Sequence, residues 1–209
     1  MIEAFSRATV QGEDVLRLAG LPTASLEVVL LGRGIRPESI AETQTVLRQT
    51  GVPFSAEEMV DNTFTAKTQY PTPFPIGRYG NGQWPVYYAA IAEETCAAEV
   101  AYHLGGQTVE GRYFAVVSCR FDGDVLQLDG RQNEYRDLIS PTSAGYVFCQ
   151  QVADEARLVV SGLHAPSARH QGGVCVPVFV RQSLSQSHRL HFGRFVINSD
   201  GTVEFLRVR

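Results

Sequence analysis

The rhythm of apolar and polar positions changes once along the chain, near Thr63. Ahead of that point, residues 1 to about 60 predict helix. Ser39 and Glu42 stand at capping-box spacing behind Pro37, while Ile40, Val46 and Leu47 form an apolar stripe and Gly51 supplies a stop. Together they predict a helix over 38–50. Ser55 and Glu58 repeat the capping spacing. From Thr63 onward, strand-like runs alternate with turn residues, the first passing through Phe64 and Lys67.

A loop rich in Pro and Gly spans 70–84, and the aromatic and β-branched run Pro85 to Ile91 reads as a buried strand. Glu93 to Leu104 follows as a helix, with Ala97, Val100, Ala101 and Leu104 on its apolar side and Gly105-Gly106 ending it. Phe114–Phe121 and Val125–Leu128 alternate like strands joined at Asp122-Gly123-Asp124. Residues 144–158 predict a further helix. Val174–Val180, Phe192–Asn198 and Thr202–Val208 predict strands, the last two forming a hairpin across Ser199-Asp200-Gly201. Strands outnumber helices and the βαβα alternation of a doubly wound sheet is missing, so the pattern predicts an α+β fold with a mostly antiparallel core. It divides into a helical extension over 1–60 and a domain over 61–209.

At 209 residues and 44% hydrophobic, the chain suits one domain, or a domain with a modest extension, that folds without covalent staples. Its net charge is −4 and its basic residues are scattered, which argues against a nucleic-acid backbone as ligand. No stretch approaches the ~20 apolar residues of a membrane helix, and the first residues lack a basic region followed by an apolar run, so a soluble, cytoplasmic protein is expected. Cys96, Cys119, Cys149 and Cys175 lie far apart with no C-x-x-C pair, which predicts reduced, mostly buried thiols.

Three segments carry candidate chemistry. In Ile76-Gly77-Arg78-Tyr79-Gly80-Asn81-Gly82 the glycines permit close backbone approach, and an Arg among them offers a planar fork of donors suited to phosphate. A strand follows instead of a helix and the spacing is not G-x-G-x-x-G, which excludes a Rossmann turn. Tyr88 lies on the following strand. Glu99 lies mid-helix, with Thr95, Cys96, Tyr102 and His103 on its flank, unusually apolar company for a solvated carboxylate. Leu163 to Gly173 reads as a polar loop carrying Ser167, without the G-x-S-x-G elbow of an α/β-hydrolase. His188 and His191 face each other across a predicted tight turn, but lack a third ligand, so no metal site is expected. Weighed singly, a solvated Arg, an exposed Glu, a packed Tyr and a turn Ser are the plainer readings of these residues.

In this order, the segments resemble the RES family, named for an Arg, a Glu and a Ser. The resemblance runs from about residue 63 to about 182 and rests on Gly77-Arg78-Tyr79, on Pro85-Val86-Tyr87-Tyr88-Ala89-Ala90, on Glu94 to Val100 leading to His103, and on Pro166-Ser167-Ala168-Arg169. It implies an ADP-ribosyltransferase-like fold, with a split, mostly antiparallel sheet and flanking helices. It also implies a bacterial toxin that degrades NAD⁺ by hydrolysis or phosphorolysis, neutralised by an antitoxin with an Xre-like helix-turn-helix domain or by an immunity protein. NAD⁺ is then a substrate, with no recycled cofactor.

Carried over by position, the resemblance implies a catalytic set of Arg78, Tyr88, Glu99 and Ser167, with Lys67, Arg78, Tyr79, Asn81 and Tyr88 binding NAD⁺. Lys67 stands where many relatives carry an Arg, Tyr79 replaces the common Trp, and residues 1–60 have no counterpart in compact relatives. Two alternatives remain beside NAD⁺ breakdown: a mono-ADP-ribosyltransferase acting on a protein, and an NAD-binding module without turnover.

Overall fold

A computed structural model describes residues 1–20, 55–68, 71–105 and 113–208. The helix expected over 38–50 lies outside these residues. The elements are β1 (Arg7–Gly20), α1 (Ala56–Phe64), β2 (Ile76–Gly77), β3 (Gly80–Asn81), β4 (Tyr87–Ala90), α2 (Glu93–Leu104) and β5 (Tyr113–Gln127), followed by α3 (Tyr146–Ala156), β6 (Gly162–Pro166), β7 (Val174–Val178), β8 (Leu184–Ile197) and β9 (Val203–Val208). Among the described residues, seven strands form one sheet in the order β1-β4-β7-β6-β5-β8-β9, and β1 pairs β5 as well. The first five of these strands therefore close into a ring, from which β8 and β9 extend. All pairings are antiparallel except β5 with β6. The α+β expectation with a mostly antiparallel sheet stands on this architecture.

The ring has one weak seam. β1 meets β4 at a single pair, Leu16↔Ala90, whereas it follows β5 from Arg7↔Leu126 to Gly20↔Phe114. Beyond Leu16 the strands β1 and β4 part. Around the ring, α1 sets Ala56 and Val60 against Val15, Tyr87, Val117 and Phe121. α3 packs Cys149, Val152, Ala153 and Ala156 against Leu126, Leu163 and Trp84. α2 packs Cys96, Ala97, Val100 and Leu104 with Leu18, Phe114 and Phe195.

Local signals formed several elements as expected. Ser55 accepts from the Glu58 amide at 3.0 Å while Glu58 accepts from the Ser55 amide at 2.9 Å, a complete capping box at the start of α1. α2 runs over Glu93–Leu104 and ends at Gly105 with φ 58°, the left-handed conformation glycine adopts without strain. β8 and β9 form the C-terminal hairpin, its turn fixed by Asp200, which accepts from the Thr202 amide and hydroxyl.

Four expectations are corrected. Residues 7–20 are a strand, not part of a helical extension. A bulge between Val10 and Glu13, where Gly12 has φ 63°, shifts the side-chain alternation and hides the strand period. Phe64 closes α1 and Lys67 follows it in irregular backbone, so no strand passes through them; the Ser55 cap has already committed this stretch to helix. Asp122-Gly123-Asp124 is not a turn. β5 continues through it for 15 residues, because Asp122 accepts from the Gly12 amide and Asp124 from the Thr9 hydroxyl, both on β1. His188 and His191 lie along β8 instead of across a turn, and His191 meets Glu93 at 3.2 Å. In addition, the polar loop expected over 163–173 begins within β6. No helix among the described residues is long and apolar enough to cross a membrane.

Phe121 is fully buried between β1, β8 and α1. Phe121→Ala is expected to lower stability by about 3–5 kcal/mol in chemical denaturation, while Leu158→Ala at an exposed position stays within about 0.5 kcal/mol.

Candidate active site

A cavity of about 950 Å³ opens where β1 and β4 part, with α2 along one side and the turn between β2 and β3 along another. That turn carries Arg78 and Tyr79 at its tip. It lies directly on β4: the Tyr88 hydroxyl accepts from the Tyr79 amide at 3.1 Å, and a Cβ on Gly77 would come within 2.6 Å of the Tyr88 oxygen. Only glycine permits this approach. From the opposite side, Gln150 on α3 donates its amide to the Gly77 and Gly80 carbonyls at 2.8 and 3.3 Å.

Arg78 is 8% exposed and reaches the cavity wall. Its guanidinium donates to the Asp137 and Ser140 carbonyls at 3.1 and 2.8 Å and lies 5.0 Å above the Tyr146 ring. Part of its fork therefore anchors the 3-10 turn Arg136–Ile139 and the residue after it. Tyr79 is buried in the core beside Trp84 and Val86, and its hydroxyl has no hydrogen-bond partner among the described residues. Burial holds the phenols of both Tyr79 and Tyr88 above their usual range, so each remains neutral.

Glu99 enters the cavity from α2. Its Oε1 receives the Ser167 hydroxyl at 2.6 Å, the Ala168 amide at 3.1 Å and the Cys175 thiol at 3.8 Å. These contacts all fall on one oxygen and leave Oε2 out of them. Burial first, and the neighbouring Glu99 carboxylate second, push the Cys175 thiol up and keep it protonated. Ser167 is itself held by accepting the Arg169 and His170 amides at 3.1 and 3.0 Å.

Arg17, on β1, also lines the cavity. Its guanidinium carbon sits 4.7 Å from the Tyr87 ring centre, and Nη1 is buried with no hydrogen-bond partner among the described residues. A buried guanidinium N–H without an acceptor is costly, and this nitrogen is closed off from the cavity that other atoms of Arg17 line. The local signal was an Arg inside the apolar run Val15-Leu16-Arg17-Leu18-Ala19, two positions from fully buried Val15 and so directed to the same face.

The fold thus brings Arg78, Tyr79, Tyr88 and Glu99 to one cavity, with Ser167 hydrogen-bonded to Glu99. It places Lys67 and Asn81 elsewhere. The Lys67 amine meets the Asn62 side chain, and exposed Asn81 accepts from the Gln83 amide at 3.0 Å. Among the described residues, no three His, Cys, Asp or Glu side chains are grouped to hold a metal ion.

A protein-family model described as the RES domain matches residues 51–195, more than half of the chain. No curated protein matches it.

His103 lines the same cavity one helical turn after Glu99. Desolvation of this otherwise exposed imidazole lowers its pKa; Glu99 opposes that shift, and Arg169 and Arg78 add to it. The unfolded chain therefore binds the His103 proton at higher pH than the folded one, so this group removes stability as pH falls from about 6.5 through the folded midpoint. NMR titration is expected to place the midpoint below the ordinary histidine value. Arg169→Ala should raise it, and Glu99→Gln should lower it further.

Proposed function

The chain belongs to the RES domain family, and from that membership and the cavity's geometry we propose that it breaks the nicotinamide–ribose bond of NAD⁺, as a glycohydrolase or phosphorylase. The observation that carries this reading is the Glu99 carboxylate, pinned through Oε1 in a cavity that Arg17 and Arg78 also line. Leaving nicotinamide turns the ribose into an oxocarbenium-like cation, and a fixed carboxylate beside it lowers the barrier without having to reorganise. Ser167 and the Ala168 amide keep Oε1 in place, so Oε2 is the oxygen that faces the developing charge or orients the acceptor.

The pyrophosphate is assigned to Arg17, as a cation on the cavity wall, together with the N–H groups that Arg78 retains beyond its carbonyl bonds. Tyr88 packs on the nicotinamide or its ribose as a neutral phenol. Lys67 and Asn81, away from the cavity wall, take no part. On this reading the sheet is of the ADP-ribosyltransferase kind, its seam between β1 and β4 forming the split. The protein acts as a bacterial toxin in the cytoplasm of the producing or a target cell, restrained by an antitoxin with an Xre-like helix-turn-helix domain or by an immunity protein.

Purified protein incubated with NAD⁺ is expected to release nicotinamide, and Glu99→Gln to lower kcat by about 10²-fold or more while preserving the fold. Wild-type protein as inert as the variant would overturn the enzymatic reading. ADP-ribose as product identifies water as acceptor, ADP-ribose phosphate identifies phosphate, and ADP-ribosylated protein identifies a transferase. In the same assay Arg17→Gln should raise KM for NAD⁺ by about tenfold, the loss of a charge-assisted hydrogen bond, whereas Lys67→Gln leaves it unchanged. Equal effects of these two substitutions would remove Arg17 from the pyrophosphate site.

A further inference from the structure

Thr95 is completely buried, although its side chain is polar. It lies one helical turn before Glu99 on α2, and residues four apart share a helix face. Its hydroxyl meets Nδ1 of His170 at 2.8 Å. The backbone passes tightly beneath this contact: a Cβ on Gly173 would lie 2.5 Å from the Thr95 oxygen and 2.7 Å from His170 Nδ1. His170 belongs to the loop between β6 and β7 that carries Ser167. That loop is closed on itself by the Ser167 amide donating to the Gly173 carbonyl at 2.8 Å and the Gly173 amide donating to His170 at 2.9 Å.

These contacts form a circuit that begins and ends on the same helix. Thr95 meets the His170 ring, the His170 amide donates to Ser167 Oγ, and Ser167 Oγ donates to Glu99 Oε1. A hydroxyl has one proton and two acceptor positions. The Arg169 and His170 amides occupy both acceptor positions of Ser167, which leaves its proton directed at Glu99. Displacing His170 would free one of them, and the Ser167 proton would lose its enforced direction.

We propose that Thr95 and His170 are positioning residues, a second clasp between the Ser167 loop and α2 that keeps the Ser167 hydroxyl and the Ala168 amide on Glu99. Neither residue need touch the substrate. Protonation of His170 leaves the clasp closed, because the Thr95 hydroxyl can donate to a bare Nδ1 or accept from a protonated one. The kinetic part of the proposal rests on the reading of Glu99 as the residue that stabilises the ribosyl cation.

The test compares Thr95→Val, which keeps shape and removes the hydroxyl, with Thr95→Ser, which restores it, and with His170→Ala, which opens the clasp from the loop side. Hydrogen exchange at the Ala168 and His170 amides is expected to accelerate about tenfold in Thr95→Val and His170→Ala and to return toward wild type in Thr95→Ser. Nicotinamide release should show the same order, with kcat down about tenfold in Thr95→Val, KM for NAD⁺ within about twofold, and most of the rate recovered in Thr95→Ser. Unchanged exchange in both clasp-opening variants, or a serine variant no better than valine, would overturn the proposal. So would faster exchange with an unaltered kcat. An inert wild type would instead overturn the NAD⁺ reading, and amide exchange would still decide whether the clasp holds the loop.

Discussion

Fifteen extended residues present donors and acceptors along two edges, and a protein interior leaves few such groups bare. β5 meets this constraint with β1 along one edge and with β8 and then β6 along the other. The site follows from those pairings. The β1 register sets Arg17 beside Val117, while β6 ends at Pro166 and delivers Ser167 one residue later. β7 pairs with β6 and carries β4, which places Tyr88 opposite Pro177. Glu99 arrives on a helix, and the Ser167 loop reaches across to fix it.

The single pair between β1 and β4 has the opposite character. Continued pairing there would bring β1 and β4 together where the cavity now lies. Instead the two strands part, and α2 and the Gly77–Gly80 turn line the space between them. The turn is secured by Tyr88 beneath, by Gln150 behind, and by Arg78, which donates to two backbone carbonyls. The two arginines on the cavity wall are thus held differently. Arg78 spends part of its fork on the protein's own backbone, and Arg17 keeps a buried N–H without an acceptor among the described residues.

Among the described residues, Glu99 is held through one oxygen without a cationic hydrogen-bond partner. Its donors are a hydroxyl, a backbone amide and a protonated thiol, all neutral, so they orient one oxygen without cancelling its charge. Charge remains available to a cation in the cavity, as the proposed cleavage of NAD⁺ would require.

The amino-acid sequence by itself determined the features whose cause lies within a few residues. The Ser55–Glu58 capping box, the whole of α2 with its Gly105 stop and the C-terminal hairpin were legible because capping, helix periodicity and turn chemistry act locally; Arg78, Tyr88, Glu99 and Ser167 stood out as a set only through the resemblance to the RES family. Tertiary structure decided what depends on distant partners. Gly12 and its bulge conceal β1, and Asp122 and Asp124 resemble turn residues until β1 supplies the amide and hydroxyl that keep β5 extended. Along the chain, Lys67 is the residue that reads as the second cation, and Arg17 is not singled out. Pairing of β1 with β5 brings Arg17 to the cavity, and the Ser55 cap commits the residues before Lys67 to a helix that leaves the lysine outside it.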